Sequence, residues 1–336
     1  MNRRQPARPA GVRLAGTGMA VPPRRLTNDD LAQLVDTNDA WITQRTGIKS
    51  RHLVANGQKT SDLAAAAIKQ AMENAGLAPA DLDLVICATM TPDMICPATA
   101  AQVVAKLDAI PCGAFDLNIA CTGLVAAINT AHNFVVSGAC RHVAVVGAEV
   151  LSGIVDWDDR RTCVLFGDGA GAVVLSASDD PQQGCLYQML GSDGERGNSL
   201  YVPRQEQDIP PGEEAGFSGK LNTLQMNGKA VYKFAVTTLA DCVAKALETT
   251  GLTADDIKMV IPHQSNIRML QSAWKRLGFD DSKVYINIDR FGNTSAASVG
   301  ICLHELMEQG TLASGDHVIF VAQGGGLSWG TSLWRL

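Results

Sequence analysis

A layered α/β fold made of two similar βαβαβ halves is predicted for this chain, from an internal repeat, from strands too apolar for water and from composition. In the repeat, Gly76-Leu77 through Asp81-Leu82-Asp83-Leu84-Val85-Ile86 returns as Gly251-Leu252 through Asp255-Asp256-Ile257-Lys258-Met259-Val260-Ile261. His142 to Gly147 returns as His317 to Ala322, and each copy closes with a glycine-rich strand. Strands this apolar need helices over both faces of their sheet. The composition agrees: 46% of the 336 residues are hydrophobic and 18% charged, enough for one large core or two half-sized ones.

Residues 1–11, rich in arginine and proline and without periodicity, are expected to form a flexible tail. An N-terminal half is expected over residues 12–180 and a C-terminal half over 220–336, with an irregular Gly-, Pro-, Asp- and Gln-rich connection between them. From Val12 a strand-like run leads to the helix-start signal Thr27-Asn28-Asp29-Asp30 and on to Trp41 through Ile48. Ser61 to Gly76 predicts a helix with a glycine stop, and Leu82 to Thr89 a strand. Phe115 to Ile119 predicts a buried strand, and Leu124 to Ser137, free of carboxylates, lysine and arginine, a buried helix. The repeat matches this pair to a strand at Val284 to Ile288 followed by the helix start Gly292-Asn293-Thr294-Ser295-Ala296-Ala297-Ser298.

A net charge of −6 argues against general affinity for nucleic acid or anionic membranes. The nine cysteines are scattered without the short paired spacings of zinc or redox sites, so they are expected to be reduced thiols. No apolar run reaches membrane-spanning length and no secretory segment opens the chain, which points to the cytoplasm.

Three polar residues fall at repeat-related ends of strands, where open α/β sheets place ligands: Cys121, His263 and Asn293. Cys121 lies where a strand turns into a helix, and free amides at a helix start are expected to lower a thiol's pKa and sharpen it as a nucleophile. His263 stands in Pro262-His263-Gln264-Ser265-Asn266, directly after a strand. Asn293 lies at the helix start equivalent to that of Cys121. A buried apolar thiol, a satisfied core histidine and a helix-capping asparagine are the structural alternatives, one for each residue.

Over residues 12 to 336 the sequence resembles the thiolase-fold condensing enzymes, and within them the β-ketoacyl-acyl carrier protein synthase III family. The resemblance rests on the Cys121 helix start, GDGAGA at 167–172, PHQSN at 262–266, GNTSAAS at 292–298 and QGGGLSWG at 323–330. It implies an α-β-α-β-α layering of the two halves and a homodimer. It also implies decarboxylative condensation of an acyl-coenzyme A primer with malonyl-acyl carrier protein, the first step of fatty-acid synthesis. A polyketide-priming ketosynthase or an acyltransferase on the same scaffold is the alternative. Cys121 would be the nucleophile, the amides of Cys121 and Gly325 an oxyanion hole, and His263 with Asn293 a pair of neutral donors for the enolate oxygen. By the same resemblance Trp41, Arg45, Arg160, Arg268 and Asn266 would bind coenzyme A, and Lys233, Lys275 and Arg276 would meet the carrier protein. Cys96 and Leu165 would line the acyl pocket. Cys96 stands where many relatives carry a phenylalanine that crosses the dimer, and Arg161 where many carry glycine. No metal or other resident cofactor is expected. A Cys-His-Asn hydrolase and a silent binding protein are the rivals from other classes, and the glycine motifs and the repeat weigh against both.

Overall fold

A computed structural model of the chain describes residues 8–55, 57–211 and 220–336. The first half is a five-stranded sheet in the order β1-β7-β6-β4-β5. Its strands are β1 (Gly11–Ala20), β4 (Leu84–Ala88), β5 (Gly113–Leu117), β6 (His142–Glu149) and β7 (Gly169–Ser178). The hairpin of β2 (Arg24–Thr27) with β3 (Ser50–Leu53) stands apart from it, together with the short helices α1 (Asn28–Leu31) and α2 (Asp39–Thr46). Thr27 caps α1 through a reciprocal bond pair with Asp30, as the helix-start signal predicts. Helices α3 (Thr60–Ala75), α4 (Thr99–Lys106) and α5 (Gly123–Val136) complete this half.

The second half repeats the plan in a sheet of order β11-β12-β13-β8, with β8 (Gly184–Ser192), β11 (Ile257–Pro262), β12 (His317–Gly324) and β13 (Ser328–Arg335). A small pairing of β9 (Leu200–Tyr201) with β10 (Gln225–Met226) precedes α6 (Gly228–Thr250), α7 (Ile267–Leu277), α8 (Ile288–Phe291) and α9 (Ala297–Glu308). In both sheets the order of parallel and antiparallel neighbours is the same. β4 lies parallel to β6, which lies antiparallel to β7. β11 lies parallel to β12, which lies antiparallel to β13. Helices α3 and α6 stop at the repeat-related Gly76 and Gly251.

Three of the expected boundaries change. Gly11 already pairs with Ser178 in β1, so the strand begins inside the expected tail, whose residues 1–7 lie outside the described residues. Residues 184–192, expected as part of the irregular connection, form β8, the edge strand of the second sheet. The second half therefore starts near residue 184 rather than 220. Val284 to Ile288, expected as a strand, makes one parallel bridge from Val284 to Val260 and then enters α8. The side chain of Gln264 holds this segment instead, accepting from Asn287 N and donating to Tyr285 O.

The apolar pattern explains the layering. The first two and a half turns of α5, Gly123 to Ala131, are enclosed together with the start of α9, in one core with Val143 and Val145 of the first sheet and Val318 and Phe320 of the second, while the last turn of α5 reaches the surface at Asn133, Phe134 and Val136. The outer face of the first sheet is covered by α3 and α4, and that of the second by α6 and α7. Five layers result, α-β-α-β-α. Contact at the centre requires glycine: a Cβ on Gly171, in β7, would stand 2.4 Å from Ile301 N, and one on Gly300 would stand 2.6 Å from Gly171 C. GDGAGA thus lets α9 lie directly on its strand. The same motif supplies Asp168, which accepts from Val54 N and from the amide and hydroxyl of Ser152, and so fixes the loop that carries Ile154. Among the described residues no helix is long and apolar enough to cross a membrane.

Candidate active site

Both enclosed helices begin at the same end of the fold, and a cavity of about 1110 Å³ opens there. Cys121, His263 and Asn293 all line it. Cys121 sits in the single 3-10 turn Ala120–Thr122 between β5 and α5, after Ala120 at φ 47°, a strained position for a residue with a side chain. The turn is pressed against the glycine run that begins at the last residue of β12, Gly324. A Cβ on Gly324 would come within 2.8 Å of Cys121 N and 2.9 Å of Cys121 Cβ. Among the described residues neither Cys121 N nor Gly325 N donates to a backbone carbonyl.

The thiol differs from expectation. Rather than being lowered by a helix start, its pKa is pushed up to about 12, chiefly by burial, with the Glu149 carboxylate adding to the rise. The α-helix itself begins only at Gly123, and Cys121 is 7% exposed, so lost hydration outweighs the amides. Glu149 is fully buried at the end of β6, where it accepts from Thr91 Oγ1, Thr89 Oγ1 and Met90 N; burial lifts its carboxyl to about 7.

His263 follows β11, and its amide donates to Val321 O, which extends the β11–β12 register by one residue. Nδ1 lies 2.8 Å from Ser298 Oγ. Burial drives the imidazole's pKa down to about 3, so the ring is neutral in the free protein. Asn293 does not cap α9, whose first turn follows Ala296. Its Oδ1 accepts from Ser295 N at 2.8 Å, which orients the amide and leaves Nδ2 as a donor at the cavity wall.

At the mouth, Trp41, Arg45, Asn266 and Arg268 line the cavity. Asn266 caps α7 through Arg268 N and donates to Arg45 O, which ties α2 to α7. Arg45 lies over the Trp41 ring, 5.7 Å from its centroid. Arg160 does not line the cavity: it lies over the same ring at 5.6 Å and bonds Asp36 O. Arg161 lines it instead, braced by Asp159. Arg204, unmarked by any sequence motif, also faces the cavity. Lys233, Lys275 and Arg276 are exposed on α6 and α7, and Arg276 pairs with Asp241 at 3.4 Å. Leu165 lines the cavity as expected. Cys96 does not: it is exposed, and the preceding Met94 and Ile95 form that part of the wall.

Beneath the cavity Arg51, buried, donates to Asn28 Oδ1 and Val164 O, joining β3 to the segment that carries Leu165. Loss of hydration lowers its pKa to about 10.

Two family models match the chain: 3-oxoacyl-[acyl-carrier-protein] synthase III over residues 115–194 and the C-terminal part of the same enzyme over residues 247–336. A β-ketoacyl-[acyl-carrier-protein] synthase III of Caldanaerobacter subterraneus is 47% identical over 95% of this chain and 96% of its own. One of Xanthomonas campestris is 46% identical over 96% of this chain and 98% of its own. The crystal structure of 3-oxoacyl-[acyl-carrier-protein] synthase III from Aquifex aeolicus superposes with a TM-score of 0.90 at 40% identity, covering 97% of this chain and all of that one.

Proposed function

The chain belongs to the β-ketoacyl-acyl carrier protein synthase III family, and from that premise we propose how its residues divide the reaction. The enzyme condenses an acyl-coenzyme A primer with malonyl-acyl carrier protein, with loss of carbon dioxide, to a β-ketoacyl-acyl carrier protein that starts fatty-acid synthesis. The observation that supports the division most is the convergence of Cys121, His263 and Asn293 on one cavity whose glycine turn packs against the Cys121 amide.

Cys121 attacks the primer thioester and holds the acyl group, splitting one hard condensation into two easier steps. The free amides of Cys121 and Gly325 stabilise the oxyanions of acyl transfer and carbon–carbon bond formation. His263 and Asn293 donate hydrogen bonds to the enolate oxygen left when malonyl loses carbon dioxide. Trp41, Arg45, Arg268 and Asn266 bind coenzyme A, its adenine against the Trp41 face and its phosphates on the arginines. Arg160 acts indirectly by holding Trp41, and Arg161 takes the direct place at the mouth. Lys233, Lys275 and Arg276 meet the acidic carrier protein. On the same reading the protein works in the cytoplasm as a homodimer in which Cys96 faces the partner's acyl pocket, and it draws on no resident cofactor, coenzyme A entering as substrate.

Intact-mass analysis after incubation with a panel of acyl-coenzyme A species tests the nucleophile. One acyl group is expected on the native chain and none on Cys121→Ala. A stable adduct on Cys121→Ala would overturn the assignment.

A further inference from the structure

The hydrogen bonds around Ser298 decide which nitrogen of His263 carries the proton. Ser298 Oγ has three neighbours: Ser295 O at 2.9 Å, Gln264 N at 3.3 Å and His263 Nδ1 at 2.8 Å. A hydroxyl has one proton to give. The carbonyl can only accept and the amide can only donate; Ser295 O accepts from Ser298 N at 3.2 Å and lies 2.9 Å from Oγ, within reach of the Ser298 proton in a local bond typical of serine in a first helical turn. With the Ser298 proton on Ser295 O, the lone pairs of Oγ are left for Gln264 N–H and for Nδ1, and in that arrangement Nδ1 is the donor.

We propose that Ser298 is a positioning residue that fixes His263 as the Nδ1–H tautomer, so that Nε2 meets the cavity as a lone pair and His263 enters the reaction as a proton acceptor. This rests on the reading of Cys121 as nucleophile, and it answers a difficulty in that reading: a thiol buried this deeply does not ionise by itself. As Sγ forms its bond to the primer carbonyl carbon, its proton passes to Nε2. As the bond to the coenzyme A sulfur breaks, that proton passes to the departing sulfur, which leaves as a thiol. In the second half-reaction the malonyl carboxylate carries a negative charge into the cavity, and Nε2 takes up one proton from solvent with it. His263 is then the donor to the enolate oxygen. When the product leaves, the proton ends on Sγ and the thiol is restored. One solvent proton is consumed for each carbon dioxide released, which is the balance of the overall condensation. Cys121 and His263 share the cavity wall, and the Glu149 carboxylate lies close enough to act on the Cys121 thiol.

The test combines a spectrum with a rate. In the ¹⁵N spectrum of histidine-labelled protein, with His263→Ala used to assign the signal, His263 is expected to show a protonated Nδ1 and a bare Nε2. Ser298→Ala should weaken that signature and slow single-turnover acyl loading roughly 10²-fold at saturating acyl-coenzyme A. The apparent KM should hold, and Ser298→Thr, which keeps the hydroxyl, should restore both readouts. A protonated Nε2 in the resting native enzyme would overturn the proposal, and so would loading by a folded Ser298→Ala within twofold of native. If Ser298→Ala fails to fold, the native spectrum alone decides. Peptide mapping of the adduct keeps the two readings apart, since acylation away from Cys121 would refute the nucleophile whatever the tautomer.

Discussion

Replacing Gly324 by alanine is the sharpest probe of the glycine turn. The added Cβ would lie 2.8 Å from Cys121 N, 2.9 Å from Cys121 Cβ and 3.2 Å from Cys121 Cα. Carbon atoms in ordinary contact sit roughly 3.5–4.0 Å apart, so either the turn or the nucleophile must retreat by the better part of an ångström. Displacement of that size at a reacting centre costs about 10²-fold, and loss of one oxyanion donor costs about 10²–10³-fold. Single-turnover loading from acetyl-coenzyme A, followed by quenched intact mass, should therefore slow by roughly 10²–10³-fold. KM should change little, because the mouth residues are untouched. Thermal unfolding should report a destabilisation of only about 1–3 kcal/mol, the usual cost of overpacking. Gly153→Ala is the control, since its Cβ meets nothing within 4 Å and the residue takes no part in the site. Loading by a folded Gly324→Ala within threefold of native would show that the contact does not position Cys121.

Four further outcomes are expected. Asn293→Ala should still load the primer but release carbon dioxide from malonyl-carrier protein about 10²-fold more slowly, measured as ¹⁴C gas; native release would remove Nδ2 from the donor pair. Reversing charge at Lys275 should raise the apparent KM for the carrier protein at low salt and spare acyl-coenzyme A loading. Reversal at Arg276 should do less, because Asp241 already engages it; equal constants for native and Lys275→Glu would dismiss the patch. Glu149 gives a pH signature. Its carboxyl titrates near 7 when folded against an ordinary 4.5. The folded chain therefore holds a proton that the unfolded chain has released, and stability falls as pH rises through that window, by roughly 3 kcal/mol from this group. Glu149→Gln should flatten that stretch of the urea-derived stability curve, and an unchanged slope would refute the shift. Finally, Cys96→Phe should move primer preference toward acetyl relative to butyryl, each methylene lost being worth about 0.8 kcal/mol; an unmoved profile would leave chain length to Met94 and Ile95.

The two-half architecture was legible because Gly76 to Ile86 and Gly251 to Ile261 keep the same stop, turn and strand. β8 was not, because an edge strand with one face half open alternates apolar and polar residues, and in a glycine- and proline-rich neighbourhood that pattern reads as loop. The strand at Val284 was over-read. Its apolar residues are real, yet only Tyr285 N reaches a strand carbonyl, that of Val260, while Tyr285 O and Asn287 N are taken by the Gln264 side chain. Cys121, His263 and Asn293 stood out by motif and meet in one cavity. The thiol's protonation did not follow from its place in the chain, since burial, which sets it, is a property of all five layers. Arg160 leaves its expected place in the cavity lining, held by Asp36, distant in sequence, over Trp41, and Arg161 beside it lines the cavity. Ser298 was visible only as a letter in GNTSAAS, and its bond to His263 spans two elements.

The enclosure of α5 and α9 between both sheets bears on how the enzyme fails. Backbone amides in the buried first turns of these helices, Gly123 to Asn129 and Ala297 to His304, meet bulk water only if a whole sheet lifts away, so their hydrogen exchange is tied to global unfolding rather than to local opening. The chemistry therefore has no frayed, half-active form. Under heat or denaturant, loss of turnover and loss of the cooperative core fall in one transition, while exposed Arg45 and Arg268 at the mouth can fluctuate to admit and release thioesters without loosening the residues that react.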